Sequence, residues 1–361
     1  MIQLFSYIFK DIYCINIIIE EKLSMTPDLQ QKFDNIEPLI GKTPLLEIQF
    51  NYNGQPRRIF AKAEYYNLTG NIKDRVAFYI LKKAYETGNI KKGDIIAEAT
   101  SGNTGISFSA VGAYLGHDVI IYMPDWMSRE RINLMESYGA KVHLVSEEEG
   151  GFLGSIAKTE ELAKNGGVFL PCQFSNYDNV QAHYLTTAEE IVKQLDILGL
   201  KPDGVVAGVG TGGTIMGLAK RFREINPDCK CYPLEPVNSP TLSTGFKVGK
   251  HRIQGISDEF IPDIVKLDKL DEVISVDDSD SIIMARMLSE KLGIGVGVSS
   301  GANFLGCIIA QNRLGGNCII TTTFADDNKK YLSTDYSKPQ KYSDKHISNA
   351  VELTGVIAHK Y

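Results

Sequence analysis

Lys73 is the residue of this sequence whose surroundings most favour covalent chemistry. It lies in the stretch 69–75 (TGNIKDR), where a glycine-containing turn leads into a predicted helix that ends at Gly88. The positive end of the helix dipole and the nearby Arg75 both favour the neutral amine over the ammonium ion. A neutral lysine amine is the nucleophile that forms Schiff bases. The alternative is an ordinary solvated lysine beside an Asp–Arg pair, and this stretch alone favours that alternative.

A glycine-rich turn further along the chain has the composition of a phosphate-binding loop. It follows an apolar strand and opens a helix, and its residues are Gly210, Thr211, Gly212, Gly213 and Thr214. Glycines let backbone N–H groups close around a phosphate, the threonines add hydroxyl donors, and the helix end supplies positive potential. Taken alone, the run from Gly208 also matches a dinucleotide fingerprint, with Glu235 near the distance of a ribose-binding acid. An NAD-dependent dehydrogenase is therefore an alternative.

A second polar turn also follows an apolar strand and leads into a helix. Its residues are Thr100, Ser101, Gly102, Asn103, Thr104 and Gly105. Hydroxyls, a side-chain amide and backbone N–H groups at a helix N-terminus form an anion site, and a carboxylate suits it. The alternative is plain helix capping by Ser101 or Asn103. Two more turns, at 297–301 and 171–176, present Ser299 and Gln173.

Together these sites favour one ligand over the dinucleotide. A lysine able to form an imine, a phosphate site, a carboxylate site and a hydroxyl-bearing turn fit pyridoxal phosphate that holds an amino acid. A dinucleotide would leave Lys73 and the 101–103 loop without a function. A non-enzymatic binding protein would require an incomplete site, whereas every residue named above is present.

The elements that must position these residues alternate along the chain from residue 36. Short runs, several of them rich in Val and Ile, predict strands at 58–63, 94–99, 118–123, 141–145, 168–173, 204–209, 230–234, 272–276, 295–298 and 318–323. Helical patterns lie between most of them, at 104–115, 128–138, 152–163, 179–198, 214–225, 279–292 and 302–313. The alternation predicts an α/β fold with two doubly wound, mainly parallel sheets, because a single sheet of so many strands is uncommon. Ligands of such sheets bind beyond the carboxyl ends of the strands.

The same pattern predicts the domain organisation. We predict a larger cofactor-binding domain from residues 36–66 and 177–334, and a smaller substrate-binding domain from residues 67–176. Residues 1–35 are predicted to be an N-terminal extension. We interpret residues 1–24 as an over-long reading frame upstream of a true start at Met25, the alternative being a packed helix or an oligomer contact. The polar tail 335–361 is predicted to contain a short helix at 347–358.

The composition excludes several classes of partner. The 361 residues are 43% hydrophobic and 23% charged, and the net charge of −6 argues against nucleic acid or an anionic membrane. The six cysteines have neither disulfide-scaffold nor metal-site spacing. We therefore predict no bound metal, incidental thiols and a cytoplasmic location.

Several motifs carry a resemblance that covers residues 36–334. They are GKTPLL at 41–46, TGNIKDR at 69–75, TSGNTG at 100–105, MPDWMSRER at 123–131, GA at 139–140, QF at 173–174, GTGGT at 210–214, QGI at 254–256, SSG at 299–301 and YLST at 331–334. In this order they resemble the cysteine synthase and cystathionine β-synthase family of fold-type II pyridoxal-phosphate enzymes. The resemblance implies a homodimer that catalyses β-replacement on a serine- or cysteine-type amino acid through α-aminoacrylate.

The resemblance also implies roles for the residues of the polar turns. Lys73 would form the internal aldimine with pyridoxal phosphate and later act as general base for the Cα proton. Asn103 would bind the phenolic oxygen and residues 210–214 the phosphate. Ser299 would face the pyridine nitrogen, where a neutral hydroxyl favours loss of a β substituent over transamination. The residues that would bind the substrate carboxylate are Thr100, Ser101, Gly102, Thr104 and Gln173.

One stretch departs from the family pattern, since residues 254–262 read QGISDEFIP where QGIGAGFIP is typical. Ser257, Asp258 and Glu259 put bulk and negative charge before the aldimine, so anions such as acetate and hydrosulfide should be less favoured. We hypothesise that the enzyme uses L-cysteine, releases sulfide and adds water or another nucleophile, with Asp258 as assisting base and Glu259 as second candidate. The alternatives are an acidic loop that faces solvent in an ordinary O-acetylserine sulfhydrylase, and then a cystathionine β-synthase.

Overall fold

The computed structural model describes residues 25–246 and 248–360. Our interpretation of residues 1–24 therefore lies outside the described residues. Of the predicted extension, residues 27–36 form helix α1 (Pro27–Ile36), which has a proline in its first turn and Thr26 as N-cap. Phe33 of this helix is fully buried and packs into the core around the smaller sheet.

The larger sheet contains seven strands. In chain order they are β1 (Leu45–Tyr52), β2 (Gln55–Ala63), β7 (Gly204–Gly208), β8 (Lys230–Pro236), β9 (Ile274–Val276), β10 (Ile320–Phe324) and β11 (Val351–His359). Their spatial order is β11-β1-β2-β10-β7-β8-β9. Strand β1 pairs antiparallel with both β2 and β11. The other neighbouring pairs in this sheet, β2–β10, β10–β7, β7–β8 and β8–β9, are parallel.

The smaller sheet contains four strands, and all its pairs are parallel. They are β3 (Ile95–Ala99), β4 (Val119–Pro124), β5 (Lys141–Val145) and β6 (Val168–Phe169), in the spatial order β5-β4-β3-β6. The predicted fold class, an α/β fold with two mainly parallel sheets, is confirmed. The domain boundaries proposed from the sequence stay a prediction.

Helices connect the strands and cover the sheets. They are α2 (Lys73–Glu86), α3 (Asn103–Leu115), α4 (Arg129–Ser137), α5 (Gly151–Ala163), α6 (Asp178–Ala182), α7 (Glu189–Ile197), α8 (Gly213–Ile225), α9 (Thr241–Thr244), α10 (Asp278–Leu292) and α11 (Val298–Leu314). A π-helical turn, His183–Ala188, joins α6 to α7. Short 3₁₀ turns occur at Glu37–Leu39, Glu64–Tyr66, Leu267–Lys269, Asn328–Tyr331, Asp335–Ser337 and Ile347–Ala350.

Three apolar clusters hold these layers together. One packs α10 and α11 against the larger sheet, with Phe304 and Leu305 fully buried. Another packs α7 and α8 against the same sheet through Leu218 and Phe222. The third surrounds the smaller sheet. Because the parallel strands are covered by helices, their carboxyl ends are the open edges where polar turns can bind a ligand.

The predicted C-terminal helix at 347–358 is wrong. Residues 351–359 form strand β11, which pairs with β1 in a register that joins Leu45 to His359 and Tyr52 to Val351. The segment VELTGVIAH contains several β-branched residues, and its first residues alternate between buried and exposed positions. The pairing with β1 connects positions about three hundred residues apart, so the tail joins the larger sheet through a contact that local pattern does not reveal.

Other predicted elements need smaller corrections. Strand β1 was not predicted, and the predicted strand at 295–298 is absent from its stretch: Val296 makes one isolated bridge with Asp327, and Val298 begins α11. Strand β6 ends at Phe169, so Gln173 lies in the turn beyond it. The predicted helix at 179–198 is interrupted by the π-helical turn. In the described part of the chain, no helix has both the length and the apolar character needed to cross a membrane.

Candidate active site

One cavity brings together nearly all the residues singled out from the sequence. Those that line it are Lys73, Thr100, Ser101, Gly102, Asn103, Thr104, Gln173, Gly210, Thr211, Gly212, Thr214, Asp258 and Ser299. Gly213, the remaining member of the predicted set, is the first residue of α8. The cavity lies where β3, β7 and β10 end, as expected for an open parallel sheet.

Lys73 is the first residue of α2, and its backbone is held from two sides. Its N–H donates to the side chain of Asn71 at 2.8 Å, and the preceding N–H of Ile72 donates to the carbonyl of Ala325 at 2.8 Å. Burial lowers the pKa of Lys73 to about 8, while the negative charge of Asp258 opposes this shift. A larger fraction of the amine is therefore neutral near pH 7 than for an ordinary lysine.

We expected the charge of Arg75 to lower the pKa of Lys73, but the structure gives another cause. Arg75 is fully buried but donates to Glu64 at 2.6 Å and to Glu190 at 2.7 Å, so its charge is balanced within the chain. Asp74 accepts from the backbone and hydroxyl of Thr69 at 2.7 and 2.6 Å. The Asp–Arg pair therefore binds other partners, and burial is what favours the neutral Lys73 amine.

The phosphate-type loop at 210–214 is built so that only glycine fits at three positions. A Cβ on Gly210 would lie 2.4 Å from the carbonyl oxygen of Gly255, and one on Gly212 would lie 2.1 Å from Val265. A Cβ on Gly213 would lie 2.0 Å from the Asn179 side-chain oxygen. This crowding brings backbone N–H groups together at the start of α8, which is the arrangement that binds a phosphate.

Two residues behind this loop position its hydroxyls. The Asn179 amide donates to Thr211 Oγ1 at 2.9 Å. His183, which lies in the π-helical turn, is fully buried with Nε2 3.3 Å from Thr214 Oγ1 and Nδ1 3.0 Å from Thr187 Oγ1. Burial lowers its pKa well below the ordinary value, so a neutral imidazole contacts the loop. The sequence carried no signal for this contact.

The carboxylate-type loop is locked to Gln173. Thr104 Oγ1 donates to the Gln173 side-chain oxygen at 2.6 Å, and the Gln173 amide donates to the carbonyl of Ala99 at 2.9 Å. Behind them, the Glu98 carboxyl accepts from the N–H groups of Ala99 and Gln173 at 2.9 and 3.3 Å. Burial raises the pKa of Glu98 to about 8, although both N–H groups act against the shift. A neutral Glu98 at pH 7 leaves this end of the cavity favourable for an anion.

Asn103 and Asp326 form a contact that the sequence did not predict. The Asn103 side-chain amide donates to Asp326 Oδ2 at 2.8 Å, which leaves its second N–H available to a ligand. The Asn103 side-chain oxygen is buried without a hydrogen-bond partner within the described residues. The only signal for Asp326 was its position directly after β10.

Asp258 lies in the loop that departs from the family pattern, and that loop is firmly held. Ser257 has a φ of 57° and donates from its hydroxyl to the carbonyl of Ser239 at 2.6 Å. Thr241 Oγ1 donates to the backbone carbonyl of Asp258 at 3.1 Å. Asp258 lines both the inner cavity and the wider cleft outside it, and Glu259 and Trp126 also line that cleft.

Further lining residues were part of recognised motifs but had no predicted role. They are Ile72, Arg131, Phe174, Gln254, Gly255 and Ile256. Gly208, Asn303, Thr323 and Ala325 complete the lining and come from strand ends and from α11. Within the described residues, no group of three His, Cys, Asp or Glu side chains is arranged to hold a metal ion.

The residues present fit pyridoxal phosphate. The cavity offers a lysine with a lowered pKa for the aldehyde and, at 210–214, a glycine cradle that any Cβ would obstruct. It also offers a polar Asn103 side chain with unused hydrogen-bonding capacity. Ser299, in the first turn of α11, adds a hydroxyl at the same cavity. A dinucleotide would not require the lysine or the Asn103 position.

Comparisons with known proteins agree with this geometry. The family described as pyridoxal-phosphate dependent enzyme matches residues 36–324. A probable cysteine synthase of Bacillus subtilis (strain 168) is 40% identical over 302 residues, which are 83% of this chain and 96% of that protein.

Two solved structures are similar over almost the whole described chain. A hydrogen sulfide-producing enzyme from Fusobacterium nucleatum is 61% identical, with a TM-score of 0.88, and covers 91% of this chain and 99% of its own. A mutant of that enzyme in complex with an α-aminoacrylate intermediate is 60% identical, with a TM-score of 0.89 and the same coverage. The chain therefore belongs to the pyridoxal-phosphate-dependent enzymes, and it is a cysteine synthase-like member of that family.

Proposed function

We propose that the enzyme converts L-cysteine and water into L-serine and hydrogen sulfide, with Asp258 as the base that activates the water. The observation that supports this most directly is that Asp258 lines both the cavity of Lys73 and the cleft outside it, and that its negative charge acts on Lys73. A base there has access both to the reacting carbon and to entering water. The Fusobacterium nucleatum relative, 61% identical, is a hydrogen sulfide-producing enzyme, which is consistent with release of sulfide from this substrate.

The cavity residues that were predicted from the sequence each have a proposed role. Gly210, Thr211, Gly212, Gly213 and Thr214 hold the cofactor phosphate. Asn103 donates to the phenolic oxygen, and Ser299 faces the pyridine nitrogen. The substrate carboxylate is bound by Thr100, Ser101, Gly102, Thr104 and Gln173. Pyridoxal phosphate supplies electron withdrawal at the substrate Cα, which makes both the Cα proton and the Cβ substituent removable.

The chain's own groups then move the protons. The Lys73 amine takes the proton from Cα, the Cβ–S bond breaks, and sulfur leaves with the electron pair as hydrosulfide. Water forms the new Cβ–O bond and gives one proton to Asp258. Lys73 returns its proton to Cα, and the proton on Asp258 passes to hydrosulfide, so that L-serine and hydrogen sulfide are the products.

The acidic side chain also explains which nucleophile should be favoured. In a small cavity of low dielectric constant, a negative group repels an entering anion such as hydrosulfide more strongly than in water. Neutral water suffers no such repulsion and can donate a hydrogen bond to the carboxyl group. Water should therefore be favoured over hydrosulfide as the nucleophile that adds to Cβ.

The alternative function is ordinary O-acetylserine sulfhydrylase activity, in which sulfide and O-acetylserine give cysteine and acetate. It is supported by the 40% identity to the probable cysteine synthase of Bacillus subtilis. In that case Asp258 would only border the entrance. A cystathionine β-synthase is a further alternative, and it requires a homocysteine-type thiol as nucleophile.

Product analysis separates these functions. Purified holoenzyme should form equimolar sulfide and L-serine from L-cysteine alone, and water labelled with heavy oxygen should place one labelled atom in the serine hydroxyl. With O-acetylserine and sulfide, cysteine formation should be slower. Cysteine formation as the dominant reaction, with no serine from L-cysteine, would contradict the proposal.

Substitution of Asp258 tests the proposed base. Asp258→Asn should still release sulfide in an initial burst of about one equivalent per site, but steady turnover should fall by about a hundredfold. Asp263→Asn, an exposed change in the same stretch, is the matched control and should leave turnover unaltered. Glu259→Gln tests the second candidate. Unchanged serine formation in Asp258→Asn would remove Asp258 from the mechanism.

We also propose that the enzyme is a homodimer. Support comes from the family resemblance and from a groove that combines Ile40, Phe78, Tyr79 and Leu185 with a majority of charged and polar residues. Leu185 is 51% exposed. Light scattering of the purified protein tests this. A monomer at micromolar concentration would contradict it.

A further inference from the structure

Arg131 is a buried cation that forms no ion pair within the described residues. It is the third residue of α4 and is only 2% exposed. Its Nη2 donates to the Tyr331 hydroxyl at 3.1 Å, and the guanidinium lies 5.1 Å from the centre of the Tyr331 ring. Nε and Nη1 have no hydrogen-bond partner, and no carboxylate of residues 25–246 and 248–360 forms an ion pair with it.

Burial of a guanidinium group without an ion-pair partner is unfavourable. A charge that is buried without a partner of opposite sign costs free energy even after its surroundings relax. The hydrogen bonds of Arg131 connect it to the Asp326 carboxylate only through Tyr331, whose hydroxyl donates to Asp326 at 2.7 Å. An anion from outside the chain would resolve the imbalance.

The position of Arg131 identifies the end of the cavity at which that anion would bind. Its side chain passes directly beside Gly102: a Cβ there would lie 2.5 Å from Nε and 2.6 Å from Cδ of Arg131. Arg131 also lines the cavity that contains Lys73 and Asp258. The guanidinium group therefore lies against the 100–104 loop.

The charges of the cavity show why a cation is needed there. Its ionisable lining residues, within the described chain, are Lys73, Asp258 and Arg131. The 100–104 loop and Gln173 offer only neutral donors, whereas Asp258 is an acid and would repel a carboxylate in the same small space. Lys73 is the residue that would bind the cofactor aldehyde and take the Cα proton. Arg131 is then the other cationic side chain that lines the described cavity.

We propose that Arg131 supplies the counter-charge for the α-carboxylate of the amino-acid substrate and thereby makes the enzyme select α-amino acids over simple amines. The assignment rests on the proposed function in one respect, the binding of the carboxylate at the 100–104 loop. It does not depend on the leaving group or on the nucleophile. Gly102 has a matching role, because any larger residue would displace Arg131 from the loop.

The test compares two ligands that differ by a carboxylate. L-Serine and ethanolamine are titrated separately into holoenzyme, and binding is followed by the change in visible absorption of the cofactor. In Arg131→Gln the dissociation constant for L-serine should rise about tenfold or more, while that for ethanolamine should change less than about twofold. Arg129→Gln, an exposed arginine on the same helix, should behave as wild type with both ligands.

The outcomes separate a binding role from a structural one. Equal weakening of both ligands, or an unchanged constant for L-serine, would overturn the proposal. Cofactor content, measured from the visible band before titration, shows whether the variant is loaded. If Arg131→Gln does not fold, Arg131→Lys retains the charge without the planar fork and should weaken L-serine selectively but less. A holoenzyme that makes no serine from L-cysteine would refute the proposed function and leave this result intact.

Discussion

Asn103 donates a hydrogen bond of 2.8 Å to Asp326, and this bond joins the first turn of α3 beside the smaller sheet to the end of β10 in the larger sheet. Asp326 is fully buried, accepts from the Tyr331 hydroxyl at 2.7 Å and lies 3.8 Å from Lys330 Nζ. A Cβ on Gly297 would lie 2.1 Å from its other oxygen. Asp326 therefore fixes how the Asn103 side chain faces the cavity.

Replacing Asp326 should disturb both stability and the cofactor site. Asp326→Ala leaves Asn103 and Tyr331 without their common acceptor and Lys330 without its ion-pair partner, so we expect a loss of unfolding free energy of about 3 kcal/mol. Asp326→Asn keeps an acceptor oxygen and should lose less. Urea unfolding of each holoenzyme measures the stability. The position of the visible cofactor band shows whether Asn103 still contacts the cofactor.

The neighbouring acid gives a matched control for this pair. Asp327 is partly exposed and pairs with Lys329 at 3.5 Å. Asp327→Asn should shift neither the band nor the urea midpoint by more than a surface change does. A band in Asp326→Asn and Asp326→Ala identical to that of wild type would show that Asp326 does not act through Asn103.

The pKa of Lys73 predicts how fast apoenzyme recaptures its cofactor at different pH. Because burial lowers this pKa to about 8, the rate should rise with pH and level off above pH 8 rather than continue towards 10.5. Asp258 raises the same pKa, so Asp258→Asn should move the midpoint to lower pH. Stopped-flow absorption measures both profiles. A wild-type midpoint near 10.5 would contradict a buried amine.

The raised pKa of Glu98 predicts that the free energy of unfolding falls as pH rises. Burial raises its folded pKa to about 8 from the ordinary 4.5, so the folded state holds one more proton than the unfolded state between these values. Its contribution is complete below the unfolded pKa and is lost as pH rises through the folded one. Glu98→Gln should flatten the dependence of the urea midpoint on pH over this range.

The slope gives the size of this effect. One proton corresponds to at most about 1.4 kcal/mol per pH unit. Glu160→Gln, an exposed change on α5, serves as control and should keep the wild-type slope. The same slope in Glu98→Gln as in wild type would mean that Glu98 is ionised in the folded protein at neutral pH.

The lowered pKa of Glu190 predicts the opposite dependence, a free energy of unfolding that falls as pH decreases. Burial acts to raise its pKa, but the hydrogen bonds and charge of Arg75 and the charge of Lys62 lower it to about 2. The stabilisation is therefore complete above pH 4.5 and is lost as pH falls towards 2. Glu190→Gln should cost on the order of 3 kcal/mol at pH 7 and progressively less below pH 4.5.

The residue next to it shows what a surface pair contributes. Glu189 accepts from Arg221 at 2.8 Å, but its side chain is 32% exposed, against 12% for Glu190. Glu189→Gln should cost less than about 1 kcal/mol at pH 7. Equal losses in the two variants, measured by urea unfolding, would show that burial of the Arg75 network adds nothing.

The sequence was sufficient where chemistry depends on neighbours in the chain. Turns rich in glycine and hydroxyls after apolar runs indicated both anion sites, because backbone N–H groups at a helix start act locally. Lys73 was predicted as the imine-forming lysine only in combination with these loops, because its own stretch favours an ordinary solvated lysine. The strands predicted from short apolar runs mostly formed, since covered parallel strands are apolar on both faces.

The sequence was insufficient where the partner lies far along the chain. Asn103 meets Asp326 across 223 positions, and Arg131 meets Tyr331 across 200. The end of the chain was predicted as a helix, whereas His359 contacts Glu47 across 312 positions within a sheet. A sequence pattern reports local periodicity, whereas these pairings depend on how whole layers of secondary structure pack together.

By itself the sequence determined the α/β fold and the class of cofactor, and it predicted the reactive lysine and the two anion-binding loops, because each depends on residue types at short spacing. Only the tertiary structure decided which forces act on these residues. It showed that burial rather than Arg75 lowers the pKa of Lys73, that Asp258 lines the same cavity, and that Arg131 forms no ion pair within the described residues. Desolvation and charge balance depend on everything that surrounds a group, and that environment exists only after the chain has folded.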